Sequence, residues 1–140
     1  MRTTVKIALE MAQAVAQLDG YQNGGATPTP YKYDGATRIA IAAARRKLRL
    51  IAEDYQTARN AALVEASGGS GELPPISNVM TPDERRKVIA MHMAFDRADK
   101  ELLAAEVEVD VATLPAASFN LDDNPIPPTV LDLLGPFIEL

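Results

Sequence analysis

Two stretches of this chain repeat apolar residues at alternating steps of three and four. Ile41, Ala44, Leu48, Ile51, Tyr55, Ala58 and Ala62 form the first; Val88, Met91, Phe95, Ala98, Leu102 and Ala105 form the second. Such steps place every member on one stripe of an α-helix, because about 3.6 residues make a turn. One stripe alone leaves apolar surface in water. Two stripes joined by a connector cover each other as an antiparallel hairpin. The spacing therefore predicts long helices over residues 36–66 and 81–105. The fold class that follows is mainly α: an antiparallel long-helix hairpin with short flanking helices and one or two short β-strands.

Local chemistry marks the ends of both helices. Asp34 precedes the first and can accept from its free N–H groups, and "SGGSG" from Ser67 stops it. In "TPDE", Thr81 is the N-cap, Pro82 takes the first helical position and Glu84 can close a capping box. Between the helices, "SGGSGELPPISNV" is a flexible connector stiffened by Pro74 and Pro75.

The flanks are read from the same two periods. Thr4 to about Leu18 carries a wide apolar stripe and predicts a short helix, although "TVKIAL" also alternates and leaves a strand start open. "DGYQNGGATPTPYKYDG" is a loop by its Gly, Pro, Asn and Asp content. At "EVEVDV" the period drops to two, with Val107, Val109 and Val111 on one side and acids on the other, predicting a strand over 106–111. Its partner is either a short stretch of the same chain or the same strand of another copy. The apolar segment 128–140 predicts a short helix from Pro128, bent or broken at Gly135 and Pro136. Phe137, Ile138 and Leu140 should dock on the body, because a free tail that apolar is a liability.

With 140 residues, 1–140 reads as one domain, able to bury one core of its own. The chain has no Trp and three Phe, so that core depends on close approach of small side chains. It has no Cys, which excludes disulfide and thiolate chemistry. No apolar run approaches the ~20 residues of a membrane span. Lys6, Glu10, Gln13 and Gln17 interrupt the first stretch at helical spacing, which fits an amphipathic helix better than a signal peptide. Charge is uneven: residues 1–65 hold nine Lys/Arg against six Asp/Glu, and residues 66–140 hold five against thirteen. A basic helix face meeting the acidic half, within one chain or between copies, accounts for that asymmetry.

Motifs for chemistry are weak. His92, Asp96 and Asp99 share a helix face, but a zinc pattern needs more His or Cys. Ser67, Ser70, Ser77 and Ser118 lie in connectors, not at a nucleophile elbow. "GGSG" lacks the Lys-Ser/Thr of a phosphate-gripping loop. The carboxylates Glu106, Glu108, Asp110, Asp122 and Asp123 alternate or cluster in solvent, whereas acid–base work needs two in contrasting environments. The reading is a non-enzymatic chain with no catalytic residue, metal or cofactor.

Two features point to binding. Tyr31, Lys32, Tyr33 and Arg38 surround the start of the long helix, whose free N–H groups and dipole favour anions. The tyrosines could stack on a nucleotide base while Lys32 and Arg38 hold phosphate; the structural alternative has them packing the loop onto the hairpin. Arg38, Arg45 and Arg49 then form a basic stripe. Nucleic-acid phosphates would fit it, but the acidic chain and the adjoining Glu53 and Asp54 favour pairing with the acidic half instead. Arg45, Arg49, Val107, Val109 and Val111 are accordingly read as interaction residues, for self-association or a protein partner.

The order "ALEMAQAVAQLDG", "YKYDGATRIAIA", "FDRADKELLAAEVEVDVATLP" and "IPPTVLDLLGPFIEL" resembles a family of small bacteriophage and prophage proteins of unknown function. The resemblance covers most of the chain and brings no catalytic residues. It implies a phage or prophage origin, and a place in the host cytoplasm or the virion. Together these readings lead to a non-enzymatic protein that binds another protein as an assembly or accessory factor. Two alternatives stand beside it: an anti-defence protein that sequesters an anionic nucleotide, and a structural component of the particle.

Overall fold

The computed structural model describes every residue except 23, 26 and 140. In chain order it contains β1 (Arg2–Thr4), α1 (Val5–Ala16), β2 (Gly20–Tyr21), β3 (Thr29–Pro30), α2 (Gly35–Ala66), α3 (Pro82–Ala104), β4 (Glu106–Glu108) and β5 (Leu114–Pro115). A 3-10 turn (Ala116–Phe119), α4 (Pro128–Leu133), a second 3-10 turn (Gly135–Phe137) and β6 (Ile138–Glu139) complete it. Among the described residues, no helix is long and apolar enough to cross a membrane. The fold is mainly α, with short flanking helices and strands.

The helix ends form where their chemistry marks them. Asp34 accepts from Thr37 N at 2.7 Å and opens α2. Thr81 and Glu84 close a reciprocal capping box on α3, each bond 3.2 Å. α2 and α3 run antiparallel: Tyr55 bonds Asp99, and four residues on, Arg59 lies 4.9 Å over the ring of Phe95. Arg59 also approaches Asp99 at 3.7 Å.

By that count α3 ends about level with Leu50, so the first seam outruns the second. Its opening members, Ile41, Ala44 and Leu48, are buried against other elements. Around them gather Ala8, Met11, Ala14, Val15 and Leu18 of the first segment, with Val109, Phe119, Val130, Leu134 and Phe137 from beyond the hairpin. This head holds the core. Past Ile51 no residue of α2 belongs to it, and the buried Val88 and Phe95 of α3 stand apart from it. The remainder, about residues 55–98, is a two-helix arm.

The strand that follows α3 finds its partner at the other end of the chain. β4 pairs antiparallel with β1, with Thr4 opposite Glu106, Thr3 opposite Val107 and Arg2 opposite Glu108. Val5 N bonds Ala105 O at 2.9 Å, and Val109 N bonds Met1 O at 2.8 Å, extending the tie at both ends. The strand ends at Glu108, short of the expected 111. The alternation in "TVKIAL" marks a real but brief strand, which Thr4 ends by capping α1 through Ile7 N.

The stretch expected to be wholly loop contains one small ladder, β2 against β3. Gly20 is required there: a Cβ on it would stand 2.4 Å from Thr29 O. At the far end, Leu114 and Pro115 pair in parallel with Ile138 and Glu139, which fastens the last segment to the head. Phe137 is buried and Ile138 half-buried. Leu140, expected to dock beside them, lies outside the described residues.

Candidate interaction site

The residues singled out at the start of α2 assemble, but mostly inward. Tyr31 is 2 % exposed, stacked on Tyr21 with centroids 5.5 Å apart, and its hydroxyl donates to Pro125 O at 3.3 Å. Its ring is enclosed and offers no face to a nucleotide base, which corrects that part of the expectation. Tyr33 is half-buried and donates to Leu18 O at 2.9 Å. Burial, with help from Tyr31 and Asp19, pushes the Tyr33 phenol up to about 12, against a smaller opposing pull from Arg38. Burial raises the Tyr31 phenol too. Both rings are held neutral as pieces of the core boundary.

Arg38 spends its donors on the same loop. Nε bonds Tyr33 O at 3.2 Å and Nη2 bonds Tyr31 O at 3.4 Å. It stands between two open recesses. One, of about 350 Å³, is bounded by Lys32, Asp34, Ser118 and Asn120; the other, of about 210 Å³, by Leu18, Asp19 and Arg45. The cap carboxylate of Asp34, held below its ordinary range by the backbone and side chain of Thr37, puts negative charge at the helix start. That position opposes a bound anion.

One residue that sequence reasoning passed over holds this joint together. Asn124 is 2 % exposed. Its Oδ1 accepts from Lys32 N at 2.7 Å, while Nδ2 donates to Lys32 O at 2.8 Å and to Phe119 O at 2.7 Å. The amide thus pairs with the loop backbone as a strand would and ties it to the C-terminal segment. Asn120, left-handed at φ 51°, starts the turn that brings Asn124 there. Its only sequence signal is "FNLDDNP", an asparagine-rich turn before prolines.

The basic stripe does not meet the acidic half as expected. Arg45 pairs with Asp19, Arg49 with Glu53 four residues on, and Arg38 with carbonyls. Beside the stripe, Lys47 does reach across, to Asp110. Helix geometry explains this: partners within a turn, or on the adjoining loop, are closer than the strand. Arg45 Nε is buried without a hydrogen-bond partner among the described residues, though its side chain is 38 % exposed. Val109 is buried, and Val107 and Val111 pack against the core. These valines face inward, and the backbone of β4 is engaged by β1.

No family model, characterised protein or solved structure matches this chain. The open surfaces of the chain itself are therefore what bears on function; Ile39 and Leu50 stand exposed singly on the head, and the arm carries a group of them. Val64, Ile76, Val79, Ile89 and Met93 are exposed there, Val79 at 93 % and Met93 at 58 %. On α3, Arg86, Ile89, Met93, Arg97 and Lys100 follow one another at helical steps of three and four, all exposed. They make a face with two apolar residues set among three cations. The residues at the start of α2 spend their polar groups internally, whereas this face has the composition of a binding surface.

Proposed function

We propose that the chain is a non-enzymatic protein-binding factor whose head supports the arm and whose arm engages the partner. In the phage or prophage setting that the resemblance implies, it acts as an assembly or accessory factor. The observation that carries this reading is the outer face of α3, where Ile89 and Met93 stand exposed between Arg86, Arg97 and Lys100. Apolar residues give such a contact its affinity, and flanking charge selects and steers the partner. The partner is accordingly a protein surface or amphipathic helix carrying acidic residues around apolar anchors. The nucleotide-sequestering alternative draws less support, because Tyr31 is enclosed and Tyr33 and Arg38 are bonded to the chain's own carbonyls.

A photo-crosslinking residue at Met93, with one at Gln22 on the head as control, tests this in host cells. Proteins captured from Met93 alone are then purified and titrated against the chain. Met93→Asp and Arg97→Glu should each weaken binding at least ~10-fold, about 1.4 kcal/mol. Capture equal at both positions, or affinity unchanged by both variants, would contradict the reading.

A further inference from the structure

A groove of about 680 Å³ runs between α2 and α3, floored on the α2 side by Ala62 and Ala66. Its α3 wall presents Lys87, Ala90, Ala94, Ala98 and Glu101. These five residues follow at steps of 3, 4, 4 and 3, a spacing that reads the same from either end and is centred on Ala94. The alanines are symmetric about that centre, and the terminal charges are opposite. Neither Lys87 nor Glu101 has an ion-pair partner among the described residues.

We propose that this groove is filled by a second copy of the chain, packed antiparallel about a two-fold axis at Ala94. In that arrangement Ala94 lies on the partner's Ala94 and Ala90 on the partner's Ala98. Lys87 meets the partner's Glu101, and the pair forms twice. Parallel packing would instead set lysine on lysine and glutamate on glutamate, so the charges select the antiparallel form. Alanines let helix axes approach to about 8 Å, near the close end of ordinary packing. Met91, half-buried in the groove, supplies its largest apolar contact. Glu65, level with Ile89 on the α2 rim, lines the same groove.

The size of the face sets the expected strength. From Lys87 to Glu101 is about 21 Å of helix. Two helices of that length fall at or below the ~800 Å² per partner of a standard interface. The dimer is therefore concentration-dependent rather than obligate. It makes a four-helix arm from two two-helix arms, and covers alanine surface that a lone hairpin leaves in water. The outer face carrying Ile89 and Met93 lies on a different side of α3 and stays available to the acidic partner.

This inference rests on reading the arm as a binding surface, and its test separates the two. Sedimentation equilibrium of the whole chain, from about 5 to 500 µM, should show a monomer–dimer equilibrium with Kd near 100 µM. Lys87→Glu should weaken it at least ~10-fold. Glu101→Lys should do the same, and the double exchange should restore Kd to within about threefold. Circular dichroism should be unchanged throughout, since both side chains are exposed. A monomer up to the highest concentration would overturn the proposal. So would single variants without effect, or a double exchange that fails to restore association. A monomeric chain that still captures its partner through Met93 would remove the dimer and leave the protein-binding reading standing.

Discussion

Leu48 and Ala62 occupy the same position of one repeat, two heptads apart on one helix, yet their surroundings differ. Leu48 has no exposed surface, enclosed by α1 and the C-terminal segment as well as its own helix. Ala62 is half-exposed beside an open groove. A helical repeat dictates that a stripe will be covered by something, but the number of layers above it comes from elsewhere in the chain. In the head, three separate segments converge on the stripe. In the arm, one helix does, and the sides remain open. Stability and binding are thus divided along a single helix.

The largest expected effect contrasts a residue of each region. Leu48→Ala should cost about 3–4 kcal/mol, because a filled, enclosed site becomes a cavity. Leu63→Ala, on a half-buried position of the arm, should cost about 1 kcal/mol, since solvent can occupy the space. Urea denaturation measures both, and equal losses would break the division between head and arm.

Next in size is the Asn124 amide. Asn124→Ala leaves Lys32 N and Phe119 O short of a partner in or near the core and Lys32 O with only the longer bond from Asn120 Nδ2, and should cost about 3 kcal/mol. Thermal melts should show the loss in the head. Helix signals from peptides of the arm, followed by hydrogen exchange at low temperature, should be unchanged.

The smallest effect is one of pH. The Tyr33 phenol is raised to about 12, so its neutral form is favoured by folding. The associated stability is complete below about pH 10 and is lost as pH rises through the folded value. Tyr33→Phe should flatten that alkaline decline. Absorbance near 295 nm should find the Tyr33 phenol still protonated at about pH 11 in the folded chain. Ionisation at its ordinary value would show the loop open to solvent.

What the sequence made legible is what local chemistry controls. Thr81, Pro82 and Glu84 act within one helical turn, and Asp34 needs only the amide of Thr37, so the helix ends could be read directly. The partner of "EVEV" could not. Arg2–Thr4 is about a hundred residues away, and its three-residue alternation is too short to name a match. The tyrosines were legible as a cluster beside a helix start, but not as buried. Their enclosure depends on Pro125 and Asn124 arriving from a segment whose own composition reads as irregular. Arg45 was legible as exposed and basic, while its choice of Asp19 over the acidic half followed from loop placement that no spacing encodes.

Native-state hydrogen exchange, read by mass spectrometry at about 5 µM, tests the division most directly. Dilution keeps the chain monomeric, so the arm stands alone. Amides of residues 55–66 and 85–98 should exchange at least ~10-fold faster than those of residues 8–15 and 41–51, through openings that leave the head folded. A single shared rate for all four stretches would contradict it, because the arm would then be as firmly held as the core.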